Sequence, residues 1–165
     1  MSGLLRNFLT ILFALWRYNT ALPQARTSAR FFITPFDTGI ATLKSDKYLQ
    51  LAESAQVDYM LQTGLIQKTL ASGYSFVNAA QMVKFSQPIR LFMRVRVETQ
   101  VVFADNRCAW FSHGFFVGEA RHAEVLVKMK LKNGPVTVTP GLLLGAFSGE
   151  QPQWIQRWED TLAAL

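Results

Sequence analysis

The spacing of apolar and polar positions changes period several times along the chain, and each change predicts an element. From Leu91 to Phe103 the period is two. Leu91, Met93, Val95, Val97, Val101 and Phe103 face one way and Arg94, Arg96, Glu98 and Gln100 the other, which predicts a half-buried strand. Asp105-Asn106 supplies a turn into the run Cys108–Val117, and Gly118-Glu119 supplies another. Ala123, Val125, Val127, Met129 and Leu131 then alternate with Glu124, Lys128, Lys130 and Lys132 before Asn133-Gly134. Strands linked by such short turns predict an antiparallel meander. The stretch Tyr74 to Phe85 is strand-like but mixed in pattern.

Elsewhere the period is helical. Between about Asp46 and Thr63, the residues Tyr48, Leu51, Ala52, Ala55, Tyr59 and Met60 line one side, with small residues in the middle where a sheet can approach closely. Ser45 is placed to cap this helix and Gly64 to end it. Near the N-terminus Leu5, Phe8, Leu9, Leu12, Phe13 and Trp16 share one face, with Arg6, Asn7, Thr10 and Arg17 opposite, which predicts an amphipathic helix. Leu22-Pro23-Gln24 ends it, Gln24 to Arg30 reads as a linker, and Phe31, Phe32 and Ile33 form a short apolar strand. Helical spacing returns at Trp154, Ile155, Trp158 and Leu162. The expected organisation is residues 1–30, amphipathic helix and linker; 31–145, a single α+β domain; and 146–165, a closing helix.

Composition narrows the partners. The chain has 165 residues, half of them hydrophobic, which suits one domain. Its 13 Phe and 4 Trp are more aromatic surface than a small monomer readily hides, so part is expected in a subunit interface or a ligand tunnel. A net charge of +6 favours anionic partners. Zinc-finger spacing, aromatic RNP patterns and helix-turn-helix signatures are absent, so nucleic acid is not among the expected partners. Cys108 is the single cysteine, which excludes an intrachain disulfide and a multi-cysteine metal site, fits a reducing compartment, and reads as a small buried hydrophobe. Leu4 to Trp16 is too short to span a bilayer. Residues 4–17 therefore pack on protein, lie on an anionic membrane, or act as a targeting segment.

Several short motifs occur in a fixed order: Pro35-Phe36-Asp37 ahead of Tyr48-Leu49, then Lys84-Phe85-Ser86-Gln87-Pro88-Ile89 before the long strand, then Val97-Glu98-Thr99-Gln100-Val101, and the turn Phe103-Ala104-Asp105-Asn106-Arg107. With the element order, these resemble the 4-hydroxybenzoyl-CoA-thioesterase-like branch of the hot-dog superfamily over roughly residues 30 to 132, in particular its members with an apolar N-terminal segment. The resemblance implies a hot-dog fold, a long central helix wrapped by a five- to six-stranded antiparallel sheet with extra terminal helices. It implies hydrolysis of an acyl-CoA or acyl-carrier thioester at a dimer interface, in a homodimer or dimer of dimers, without cofactor or metal. A cytoplasmic enzyme is expected, with residues 4–17 as a candidate membrane contact.

Thioester hydrolysis needs a base or nucleophile at the carbonyl and donors for the developing oxyanion. By resemblance the carboxylate is Asp37 and the donors are amides at the helix start, near Ser45 to Lys47. Glu53 is the alternative carboxylate, since some hot-dog enzymes place theirs on the long helix; Asp58 is a second. Thr42, Lys44, Ser45, Asp46, Lys47 and Tyr48 are expected to line the site, and Lys84 and Arg90 to meet the phosphates of CoA. The row Lys128, Lys130, Lys132 reads as a solvated strand face. Pro-Phe-Asp-Thr-Gly is also a turn composition, so Asp37 has a purely structural alternative. The family's loop carries a His and an Asn pair before the helix tyrosine; here Thr42 or Leu43 and Lys44-Ser45 stand in their places. That departure motivates the second expectation, a non-catalytic hot-dog protein that binds acyl chains or lipid at a membrane surface. His113, between Phe111 and Phe115, and His122 have no partner at metal or triad spacing, and no G-x-S-x-G elbow occurs.

Overall fold

A computed structural model of the chain describes residues 20–145, 147 and 150–164, together with residues 12 and 18. The amphipathic helix expected near the N-terminus lies outside the described residues. The elements are β1 (Thr27–Phe32), α1 (Ser45–Gln62), α2 (Leu65–Ala71), β2 (Ser75–Phe85), β3 (Arg94–Ala104), β4 (Ala109–Val117), β5 (Ala120–Asn133), β6 (Val136–Val138), α3 (Gly141–Leu144) and α4 (Gln153–Ala163). All strand pairings are antiparallel, in the order β1-β3-β4-β5-β2, with β6 paired to the end of β5.

The sheet wraps α1. Tyr48, Leu51, Ala52, Ala55 and Tyr59 are buried against Val95, Val97, Phe111, Phe115, Val125 and Val127, the inward positions of the alternating strands. Burying these side chains is the dominant stabilising term, about 1.5–3 kcal/mol for each large one. Gly64 sits in the left-handed region with φ 67°, which a residue bearing a Cβ adopts only at a cost, and it ends α1 and starts α2 directly. Ser45 is not the cap. The helix begins at Ser45, and Lys44 occupies the extended cap position without a side-chain capping bond. The Lys44 amide instead donates to the Asp37 carbonyl at 3.1 Å, and its carbonyl accepts from the Lys47 amide at 3.0 Å.

Three departures from the expected pattern have physical causes. β1 begins at Thr27, inside the stretch expected as a linker, because its polar and small residues are ordered by pairing Thr27 to Thr99 through Phe32 to Arg94 on β3. A bulge between Val101 and Phe103 breaks the two-residue period of β3 and turns Phe103 to the outer face, where its ring lies 5.6 Å from that of Trp110. A second bulge, between Asn78 and Ala80, shifts β2 so that Phe76 and then Gln81, Val83 and Phe85 pair with inward residues of β5, which is why its sequence reads as mixed.

Part of the outer face is covered by α4. Ile155 and Trp158 bury against Cys108 and Trp110. Lys128, expected in a solvated row, is drawn into this contact: its ammonium pairs with Glu159 and lies 5.7 Å over the Trp110 ring. No described helix is long and apolar enough to cross a membrane.

Candidate functional site

The candidate site follows the seam where α1 meets β2. β2 is the last strand of the sheet and its far edge pairs with no described strand. At the N-terminal end of α1 the seam opens into a cavity of about 330 Å³, lined by Thr42, Leu43, Ser45 and Tyr48 and by the Phe85-Ser86-Gln87-Pro88 run at the end of β2. Tyr48 packs edge-on against Phe85 with ring centroids 4.9 Å apart. Burial pushes its phenol above the ordinary value, partly offset by a hydrogen bond to the Ile89 backbone. Among the described residues the amides of Ser45 and Asp46 donate to no backbone carbonyl, as expected of a first helical turn. They lie at the positive end of the helix dipole, where a developing anion is stabilised.

Two turns further along α1 the seam opens into a second cavity of about 440 Å³. Glu53 and Gln56 from the helix, Asn78 and Gln81 from β2, and Met129 from β5 are among its walls. Glu53 is exposed. Gln56 is held toward Met129, its amide nitrogen 3.0 Å from Sδ. The bulge in β2 lies at this point and brings the polar Asn78 and Gln81 into the wall.

Asp37 is placed differently. It is 1% exposed, and its Oδ2 accepts from both the amide (3.0 Å) and the hydroxyl (2.7 Å) of Thr34. It lines neither cavity. Its carbonyl accepts from the Lys44 amide at the helix start. Asp58 is also buried and accepts from Gln62 Nε2 at 2.6 Å. Of the other expected residues, Thr42, Ser45 and Tyr48 come together in the first cavity. Lys44, Asp46, Lys84 and Arg90 are exposed near it, Arg90 bridging to Thr42. Lys47 Nζ donates to Gln50 Oε1 at 2.9 Å.

The two histidines have structural settings. His113 is fully buried on β4; its Nδ1 lies 3.0 Å from Thr99 Oγ1, and its Nε2 has no hydrogen-bond partner among the described residues. Burial in this apolar setting holds its pKa down at about 3, so the ring is neutral. His122 Nδ1 lies 3.1 Å from the Pro88 carbonyl, and the His122 carbonyl accepts from the amides of Ser86 and Gln87 at 2.9 Å. It braces the loop that walls the first cavity. Burial raises the Cys108 thiol above its ordinary value, with Lys128 acting against the shift. This is the setting of a packing residue and not of a nucleophile. Among the described residues no group of His, Cys, Asp and Glu is gathered to hold a metal.

Comparison with known proteins gives the same architecture. The family model of the thioesterase-like superfamily matches residues 41–140, more than half of the chain, and the chain belongs to that superfamily. Its fold is the hot-dog fold. A "probable thioesterase" from Bartonella henselae superposes with a TM-score of 0.64 at 19% identity, covering 70% of this chain and 98% of its own. A hypothetical protein from Thermus thermophilus superposes with 0.66 at 19%, covering 73% and 93%. A DHNA-CoA thioesterase from Staphylococcus aureus superposes with 0.62 at 13%, covering 84% and 91%. No curated protein matches the chain in sequence.

Sequence reasoning named the helix-start residues and Glu53 but missed the polar wall of Gln56, Asn78 and Gln81. The available signal was the failure of Tyr74 to Phe85 to alternate. An edge strand carrying a bulge and polar inward residues is one that faces something other than its own core.

Proposed function

We propose that the protein hydrolyses an acyl thioester, carried by CoA or an acyl carrier, in the seam between α1 and β2, and that two copies pair along β2 to complete the site. The observation that carries this reading is the contrast in the two candidate carboxylates: Glu53 is exposed in a cavity of mixed polar and apolar lining on an open seam, whereas Asp37 is buried and bonded to Thr34. Glu53 is accordingly the proposed base or nucleophile.

Spacing along the helix supports a dimeric site. Ser45 and Glu53 are eight residues apart, which at 1.5 Å per residue separates them by about 12 Å. One carbonyl does not reach both from the same helix. Antiparallel pairing of two bare β2 edges sets the helix start of one copy against the partner's Glu53. It also covers Val77 and Met82, which otherwise stay exposed.

In the hydrolytic step the Glu53 carboxylate takes a proton from water as the water oxygen adds to the thioester carbonyl. The oxyanion is held by the backbone amides at the start of α1 in the other copy. Collapse of the tetrahedral species breaks the C–S bond, and the thiolate takes up the proton, leaving acid and thiol. Lys44, Lys84 and Arg90, exposed at the rim, suit the phosphates of a CoA carrier.

A second reading, acyl binding without turnover, is favoured by the Asp37 to Tyr48 loop, which has no histidine or asparagine. Thiol release from a panel of aliphatic and aromatic acyl-CoAs, with the mass of the assembly measured by light scattering, separates the two. Turnover by a dimer, lost in Glu53→Gln, is the expected result. Saturable acyl binding with no thiol release overturns the hydrolase reading.

A further inference from the structure

One end of the molecule carries a cluster that neither the core nor the seam uses. Ile40 is 105% exposed, Phe36 74%, Phe92 63% and Phe32 53%. They come from the end of β1 with the loop that follows it, and from the loop between β2 and β3. Backbone bonds tie these segments together: the Phe92 amide donates to the Ile33 carbonyl (3.0 Å), the Leu91 amide to the Ala41 carbonyl (3.1 Å), and Thr42 bridges to Arg90. The Phe32 and Phe92 rings stack at 6.1 Å.

Phe92 has φ 64°, and among the described residues no other non-glycine has a positive φ. A bulky aromatic in the left-handed region is strained, and here the ring is exposed to water.

The rim is basic. Arg30, Arg90 and Arg94 are exposed, and none forms an ion pair among the described residues. The acids close to them are already engaged: Glu98 pairs with Arg26 and Arg96, and Glu119 with Arg96. Arg30 and Arg94 flank a groove of about 450 Å³ on the outer face that also includes Phe32 and Phe116.

We infer that this end is a docking surface for an anionic lipid bilayer. Single apolar side chains projecting from short loops, ringed by unneutralised arginines, match a fluid acidic surface: the tips enter the acyl boundary while the guanidinium groups stay with the headgroup phosphates. The first cavity of the seam opens beside it, since Thr42, Leu43 and Pro88 line that cavity and neighbour Ile40 and Arg90 in the chain. A docked molecule therefore presents this cavity to the membrane. The inference stands on exposure and charge and does not depend on hydrolysis in the seam.

The test is flotation of the full chain with phosphatidylcholine vesicles, with and without phosphatidylserine. Binding to the phosphatidylserine vesicles that weakens as salt rises is expected. Ile40→Ser with Phe92→Asn lowers partitioning about tenfold or more, and Arg30→Gln with Arg94→Gln lowers it about tenfold on acidic vesicles. Asparagine tolerates the left-handed region, so the first pair keeps or raises the melting temperature. Thiol release from a soluble short-chain acyl-CoA stays as in the parent protein, which separates failure of this inference from failure of the hydrolase reading. No flotation of the parent protein, unchanged flotation of both pairs, or a dimer that dissociates in Ile40→Ser with Phe92→Asn overturns it.

Discussion

Asp37 precedes α1 and Glu53 lies midway along it, and the two carboxylates have opposite surroundings. Asp37 closes a turn: its carboxylate is buried against the Thr34 amide and hydroxyl, and its carbonyl receives the Lys44 amide that fixes where α1 begins. Glu53 closes nothing. It stands exposed in a cavity whose walls include Gln56, Asn78 and Gln81 along with Val57, Phe76 and Met129, beside a strand edge that pairs with no described strand. A carboxylate built into a turn is held by the fold, and removing it is felt in stability. A carboxylate on an open seam is available to a substrate, and under the proposed function removing it is felt in turnover. Motif position alone points to Asp37; the surroundings point to Glu53.

The largest expected effect separates these roles directly. Glu53→Gln lowers kcat for thiol release by about 10²–10⁴-fold, the usual contribution of a positioned base, while the melting temperature stays that of the parent protein. Next in size is a pH effect in the sealed part of the core, which contrasts with the open seam. Folded His113 is neutral with a pKa of about 3, whereas in the unfolded chain the imidazole protonates near 6.5. Between those values the unfolded state binds the extra proton, so stability falls as pH drops below about 6.5, by on the order of 4 kcal/mol at pH 3. Above pH 6.5 the group contributes no pH dependence. Denaturant titrations of the parent protein and His113→Phe across this range show a shallower acid limb in the variant.

Asp37→Ala, which leaves the Thr34 amide without its acceptor, lowers stability by about 1–3 kcal/mol. Chemical denaturation measures the loss, and thiol release per folded molecule is unchanged. The smallest effect lies on the outer face. Glu159→Gln, which breaks the partly exposed pair with Lys128, costs about 1 kcal/mol or less, and the loss shrinks in high salt.

How much of this was legible in the sequence depends on whether an element keeps a single period. The strands around Val95 and Val127 were legible because one face is buried throughout and the other is not, whereas the strand around Phe111, buried on both faces from Ala109 to Phe115, was legible from the turns that bound it. The long helix was legible from Tyr48, Leu51, Ala55 and Tyr59. α2 was not, because seven residues after Gly64 are too few to show a period. The start of β1 was hidden because Thr27, Ser28, Ala29 and Arg30 look like a linker and become a strand only by pairing with β3. The bulges in β2 and β3 each defeated the alternation test locally, and the one in β2 also hid part of the wall of the candidate site. The helix-start residues lie near one another because they are contiguous in the chain, and of those expected Thr42, Ser45 and Tyr48 line the first cavity. The exposure of Glu53 and the burial of Asp37 were not readable, since both follow from long-range packing.

The most direct test is thiol release from acyl-CoA by the parent protein, Glu53→Gln and Asp37→Asn, assayed together at a temperature where all three are folded by circular dichroism. Turnover by the parent protein and by Asp37→Asn, with at least a hundredfold loss in Glu53→Gln, is the predicted result. Undiminished turnover in Glu53→Gln, or loss confined to Asp37→Asn, would contradict the assignment of the open seam as the place of chemistry.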